Sequence, residues 1–283
     1  MMILFKHSKD LENYLDKQRQ TLTSIGFVPT MGALHSGHLS LINKCKSLSQ
    51  LTVCSIFVNP TQFNNQDDFE KYPKTMDEDV LLLEENGCDV LFMPDEIEIY
   101  PNAASREKHY DLGYLETILE GKFRPGHFQG VCLVVEKLLK AVNPDRLFIG
   151  QKDFQQCMVI RRLIELMHEK IEVVICPILR EENGLAMSSR NRRLSASQKE
   201  SAAELHRQLV WIRDQLTPYH FQNLKKEAMG RLKEAGFKVE YLELAKSGSL
   251  DLINEFENDG NLIILVAAFM GDVRLIDNLL ISE

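Results

Sequence analysis

The chain has 283 residues, of which 44% are hydrophobic and 26% charged, and a formal net charge of −8. That length predicts one large or two moderate domains, and the acidic balance argues against a broad nucleic-acid footprint, which needs a basic face. No apolar run approaches bilayer-spanning length, and the first ten residues carry neither a long apolar core nor a small-residue cleavage site, so a cytoplasmic protein with no membrane partner is expected.

Residues 1–24 read as a short strand and then a helix, with Ser8 as its N-cap. Ile25 to Val28 form an apolar run with β propensity, stopped by Pro29; the loop from Thr30 to Gly37 follows. From His38 onward, Leu39, Leu41, Ile42, Cys45 and Leu48 fall at helical spacings, so the pattern is strand, glycine-containing loop, helix. A helix start presents unpaired N–H groups and the positive end of the dipole, which suits phosphate. Gly32 and Gly37 allow close backbone approach, Ser36 is a plausible N-cap, and His35 and His38 could donate to a developing phosphoryl charge. Taken alone, two such histidines read as surface groups on a βα turn.

Leu51 to Val58 predicts a buried strand ended by Asn59-Pro60. Thr61 to Asn64 then lie at the sheet edge where open α/β folds bind ligands. Thr75 to Glu78 reads as a capping box opening a helix to about Asn86, with Gly87 as the stop. Val90 to Met93 is a strand, and residues 94–129 read as largely loop, ending in a segment with Lys122, Arg124 and His127. A helix over Val131 to Val142, a strand over Arg146 to Ile149, a helix to about Lys170 and a strand over Ile171 to Leu179 complete the alternation. It predicts an α/β fold, a Rossmann-like doubly wound parallel sheet over 1–179.

At Arg180 the chain turns polar and basic, as a linker or mobile loop does. Ser197 to Glu200 reads as a second capping box. Helices to about Leu216 and over 221–235, then strands over 239–244, 262–269 and 273–276 with a hairpin at Gly271-Asp272, predict a smaller C-terminal α+β domain over 180–283. The six cysteines are scattered with no CxxC pair, which predicts buried reduced thiols and no structural metal site.

His35-Ser36-Gly37-His38 matches the HxGH signature of the nucleotidyl transferase superfamily, and the string Pro29 to His38 resembles the pantothenate synthetase family in particular. Ser55 to Phe63, Arg124 to Gly130, Phe148 to Gln156 and Gly184 to Asn191 also resemble family blocks, in family order. Position 151 departs slightly, being Gln where the family often has Glu. The C-terminal third resembles the family more weakly.

The resemblance implies an ATP-dependent ligase that condenses pantoate with β-alanine to pantothenate, AMP and pyrophosphate through a pantoyl-adenylate, with Mg²⁺ accompanying ATP and a homodimeric assembly. It implies His38, His35, Lys152 and Arg190 as catalytic groups. For ATP it implies Met31, Gly32, Ala33, Leu34, His35, Ser36, Gly37 and His38, then Gly150, Gln151, Lys152 and Asp153, then Leu179, Met187, Ser188, Ser189 and Arg190. Gln62 is implied for pantoate and β-alanine and Gln156 for pantoate, with Asn59 a weaker candidate. The larger domain would then bind ATP and pantoate and the smaller act as a lid. Such a set is chemically sensible: a carboxylate must approach the ATP α-phosphorus against like charge, so cationic and N–H donors must surround the phosphates. Asp77, Glu78 and Asp79 could lend a carboxylate to Mg²⁺, although an acidic first helical turn explains them more simply. Arg192 and Arg193 read as solvated. The alternatives are an adenylyltransferase of the same superfamily acting on a phosphorylated acceptor, and a silent nucleotide- or tRNA-binding module.

Overall fold

Apolar runs short enough for strands alternate with amphipathic stretches long enough for helices, and the chain folds accordingly. The computed structural model describes residues 1–21, 24–64, 66–255 and 260–281. The chain divides into two compact units, Met1–Gly150 with Val159–Pro177, and Gln151–Met158 with Ile178–Glu283.

In the first unit, β1 (Ile3–Phe5), α1 (Ser8–Arg19), β2 (Ile25–Thr30), α2 (Ser36–Leu48), β3 (Leu51–Ile56), the short α3 (Gln66–Glu70), α4 (Met76–Glu85) and β4 (Val90–Phe92) follow in order. Next come the short helices α5 (Glu96–Ile99) and α6 (Leu119–Phe123), then α7 (His127–Val142), β5 (Arg146–Gly150), α8 (Phe154–Met167), of which Val159–Met167 belongs to this unit, and β6 (Glu172–Cys176). Among the described residues the six strands form one parallel sheet in the order β1-β4-β3-β2-β5-β6. The doubly wound sheet expected from the alternation is therefore present. The chain winds outward from β2 through β3 to β4, then crosses back to place β5 on the other side of β2. The strand order thus reverses at β2 and β5, and that reversal opens a crevice at the strands' carboxyl ends. β2 and β3 are almost wholly buried, as strands covered on both faces must be. Val28, Ile42, Leu83 and Phe148 are among the residues of the packed core.

Several local expectations are corrected. Ser8 is the first residue of α1, not its cap; its backbone N–H donates to Glu98. Thr75 occupies the N-cap of α4 without capping it, because its hydroxyl is directed to Asp79. The stretch 94–129 is less irregular than its composition suggests. α7 begins four residues earlier than its apolar run, at His127, because Gly126 adopts φ +79 and turns the chain into the helix. Glu136 on α7 fastens the preceding loop, accepting from Lys108 and from the Tyr110 hydroxyl.

In the second unit, α9 (Ala196–Ala202), α10 (Glu204–Gln215) and α11 (Phe221–Glu234) pack on an antiparallel sheet of β7 (Phe237–Lys246), β8 (Leu252–Ile253), β9 (Leu262–Met270) and β10 (Val273–Ile281), ordered β10-β9-β7-β8. This is the smaller α+β unit. The capping box belongs to Ser195 and Gln198, two residues before the expected pair, since Ser195 is the residue in extended conformation ahead of the helix. The hairpin turns at Gly271-Asp272 as expected, Gly271 taking φ +61. All six cysteines are free and buried.

Candidate active site

In the first unit the loop after β2 is held rigidly. Thr30 Oγ1 donates to the Ser55 carbonyl and accepts from Gly32 N–H. Gly32 has φ +77, and a side chain there would crowd Asp79 and Ile56. Ala33 follows at φ +49, a left-handed conformation that alanine rarely adopts. It is kept there by Asp79, whose carboxylate accepts from Ala33 N–H at 2.8 Å and Leu34 N–H at 2.7 Å. Asp79 is 1% exposed. It lies one helical turn before the core residue Leu83, on the inward face of α4. Its carboxylate thus braces the loop and is not displayed as a metal ligand.

α2 starts at Ser36, and its N-cap is His35 instead of the serine. His35 Nδ1 accepts from Gly37 N–H at 3.1 Å, so the neutral ring carries its proton on Nε2, the tautomer that donates from that edge. His38 lies beside it, with the ring centroids 4.1 Å apart and tilted by 39°. The helix start, the two imidazoles and the carboxyl end of β2 therefore coincide at the reversal of strand order. Gly150, at the end of β5, belongs to the same sheet edge.

A buried network orients Gln62, which closes the single 3-10 turn Pro60–Gln62. Its side-chain NH₂ donates to Met31 Sδ at 3.0 Å, and its side-chain oxygen accepts from Asn59 at 3.1 Å. Asn59 is 1% exposed; its NH₂ also donates to the Gly130 carbonyl, and its oxygen accepts from Thr61 and from the Tyr100 hydroxyl. Asn59 is thus engaged with protein partners on both ends of its amide and acts on Gln62. The Gln62 carbonyl accepts from His127 Nδ1 at 2.7 Å, which leaves His127 Nε2 as the acceptor for Arg124 at 3.2 Å. Gly130 lets α7 approach the backbone at Thr61: a Cβ would stand 2.2 Å from the Thr61 carbonyl oxygen.

The second unit carries the remaining candidates. Gln151–Asp153 form one 3-10 turn leading into α8, with Lys152 Nζ 3.8 Å from Asp153 and the latter exposed. Gln156 is half-buried in the first turn of α8. Leu179 is 40% exposed, and its carbonyl accepts from Met187 N–H. Arg180 and Ala186 form a β-bridge that folds the intervening residues into a tight turn. Ser188 caps the 3-10 turn Ser189–Arg193 by accepting from Arg190 N–H. Arg193, expected to be solvated, pairs with Asp272 at 2.9 Å, because the β9–β10 hairpin brings that carboxylate to it; Arg192 is exposed.

Sequence reasoning named Asp79 only as a possible Mg²⁺ carboxylate and missed its hold on the loop, and it passed over Tyr100, Arg180 and the role of His127. An acid one turn before a core leucine was a signal for Asp79; nothing in the chain order announces that Tyr100 meets Asn59.

The family model described as pantoate-beta-alanine ligase matches residues 3–280. The chain is 45% identical to a pantothenate synthetase of Cytophaga hutchinsonii, over 99% of each chain, and 44% identical to one of Bacteroides thetaiotaomicron, over 97% of each. Its structure resembles the crystal structure of the Thermus thermophilus enzyme, with a TM-score of 0.87 at 35% identity and full coverage of both chains. It also resembles that of the Francisella tularensis pantoate-beta-alanine ligase complexed with beta-gamma ATP and beta-alanine, with a TM-score of 0.81 at 36% identity, covering 99% of this chain and 98% of that one. A match of this extent does not favour the adenylyltransferase alternative, and the chain belongs to the pantoate-beta-alanine ligase family.

Proposed function

We infer that this chain joins pantoate to β-alanine with ATP, releasing AMP and pyrophosphate. The observation that carries the reading is the adjacent, tilted His35–His38 pair at the start of α2, where strand order reverses. In the first step a pantoate carboxylate oxygen bonds to the α-phosphorus as the bond to pyrophosphate breaks. In the second, the β-alanine amine attacks the acyl carbon of the pantoyl-adenylate, AMP leaves, and the nitrogen gives up a proton.

His38 would stabilise the charge on the α-phosphate in the first step, with His35 donating from Nε2. Met31 to Gly37 would approach the nucleotide through the rigid loop and helix start. Gly150, and in the second unit Gln151, Lys152, Asp153, Leu179, Met187, Ser188, Ser189 and Arg190, would supply the further ATP contacts, with Lys152 and Arg190 as the cations. Gln62 would orient pantoate and β-alanine, and Gln156 pantoate, because an amide both accepts from a hydroxyl and donates to a carboxylate. In this reading residues 1–179 bind ATP and pantoate, and 180–283 serve as the lid.

Among the described residues there is no group of three or more His, Cys, Asp or Glu side chains that could hold a metal, and Asp79 is taken by backbone N–H groups. Mg²⁺ arriving with ATP would be held mostly by phosphate oxygens and water. No described helix is long and apolar enough to cross a membrane. A cytoplasmic homodimer is the assembly and location proposed from the family resemblance. The test is product analysis with pantoate, β-alanine and ATP omitted in turn. AMP and pyrophosphate should form, with pyrophosphate release requiring pantoate; ADP and phosphate would overturn the reading.

A further inference from the structure

Consecutive residues of a strand point to opposite faces, yet Asp277 and Asn278 in β10 are both buried, at 3% and 2% exposure. Two adjacent buried polar residues, in a strand whose other members except Arg274 are apolar, require partners, and each finds them in a different segment. The Asp277 carboxylate receives a two-pronged ion pair from Arg180, Nη1 at 2.7 Å and Nη2 at 3.0 Å. Nη1 of the same guanidinium donates to the Gly184 carbonyl at 3.1 Å, which braces the turn leading to Met187. On the other side, the Asn278 NH₂ donates to the carbonyls of Gln151 and Lys152, both at 3.0 Å, and its oxygen accepts from the Gln151 side chain at 3.1 Å.

We propose that Asp277 and Asn278 are a positioning pair for ATP: one strand fixes the spacing between the Gln151–Asp153 turn and the Leu179–Arg190 loop, and so aligns Lys152 with Arg190. The proposal rests on the assignment of those two segments to the nucleotide. Neither residue touches substrate; each acts by anchoring backbone. A side chain binding only its own sheet would stabilise the fold. This pair instead attaches two chain segments, roughly a hundred residues upstream, through direct hydrogen bonds.

The test is steady-state kinetics of the intact protein with Asn278→Ala and Asp277→Asn, alongside thermal unfolding. Loss of alignment should raise the KM for ATP about ten- to a hundredfold, while the KM for β-alanine stays within about twofold. Asn278→Ser, which keeps one donor, should recover part of the ATP affinity, and it also stands in if the alanine variant does not fold. A folded variant with lowered thermal stability and an unchanged KM for ATP would overturn the proposal, as would equal rises for ATP and β-alanine. If the wild-type protein forms no AMP, the parent reading has failed, and ATP binding measured directly by calorimetry on the same variants decides the proposal separately.

Discussion

Replacing Asp79 by alanine isolates the link between α4 and the nucleotide loop. Two backbone donors, Ala33 N–H at 2.8 Å and Leu34 N–H at 2.7 Å, lose a charged acceptor in a site sealed from water, since Ala33 is fully buried and Leu34 nearly so. Each buried donor left without an acceptor costs about 1–3 kcal/mol, so the pair costs roughly 2–6 kcal/mol. The carboxylate also holds Ala33 in its left-handed conformation, which is disfavoured by about 1–2 kcal/mol and would be free to relax. Against a total stability of about 5–15 kcal/mol this is a large fraction. Urea unfolding should show the loss. Adenylation by the protein that remains folded should slow about tenfold or more, because Met31 to Leu34 no longer keep their geometry. Asp79→Asn retains one acceptor oxygen and should show roughly half the destabilisation. An Asp79→Ala protein unfolding within about 0.5 kcal/mol of wild type would refute the reasoning, since the loop would then be held by something else.

Changing His38 or Lys152 to alanine should lower the rate of pyrophosphate release about 10²–10³-fold with the fold intact by circular dichroism; near-normal rates in folded variants would remove both residues from the chemistry. Gly130→Ala sets a Cβ 2.2 Å from a backbone carbonyl that cannot rotate away, so α7 or the Pro60–Gln62 turn must shift. The expected loss is about 1–3 kcal/mol, together with a higher KM for pantoate because Gln62 moves, which thermal unfolding and kinetics would read separately. Glu136 supplies a pH dependence. Burial alone would raise its carboxyl, but hydrogen bonds from Lys108, Lys140 and Tyr110 outweigh burial and hold it at about 2. A folded value below the unfolded one means the stabilisation is present above about pH 4.3 and is lost as pH falls towards 2. Both lysines are more than half exposed, so solvent screening limits the contribution to about 1–2 kcal/mol. The stability gap between wild type and Glu136→Gln should therefore narrow between pH 6 and pH 3; a constant gap would show that the ion pairs contribute nothing.

The alternation of β-forming runs such as Leu51 to Ile56 with helical stretches determined that a parallel sheet would form, because strands joined by helical crossovers run parallel. The glycine-bearing turn before α2 was likewise legible, since φ-permissive residues, a helix start and two histidines are all local in the chain. What tertiary structure alone decided is which polar groups face which. Sequence placed Ser36 as the cap and His35 as a phosphate donor, whereas the folded loop makes His35 do the capping and thereby fixes its tautomer. Asp79 and Asn59 were named from the sequence in other roles, but the long-range partners of Asp79, Asn59 and the Asp277-Asn278 pair were not legible there, for one physical reason. Their partners lie tens to more than a hundred residues away, and a buried hydrogen bond is set by packing in three dimensions, which leaves no periodic trace in one.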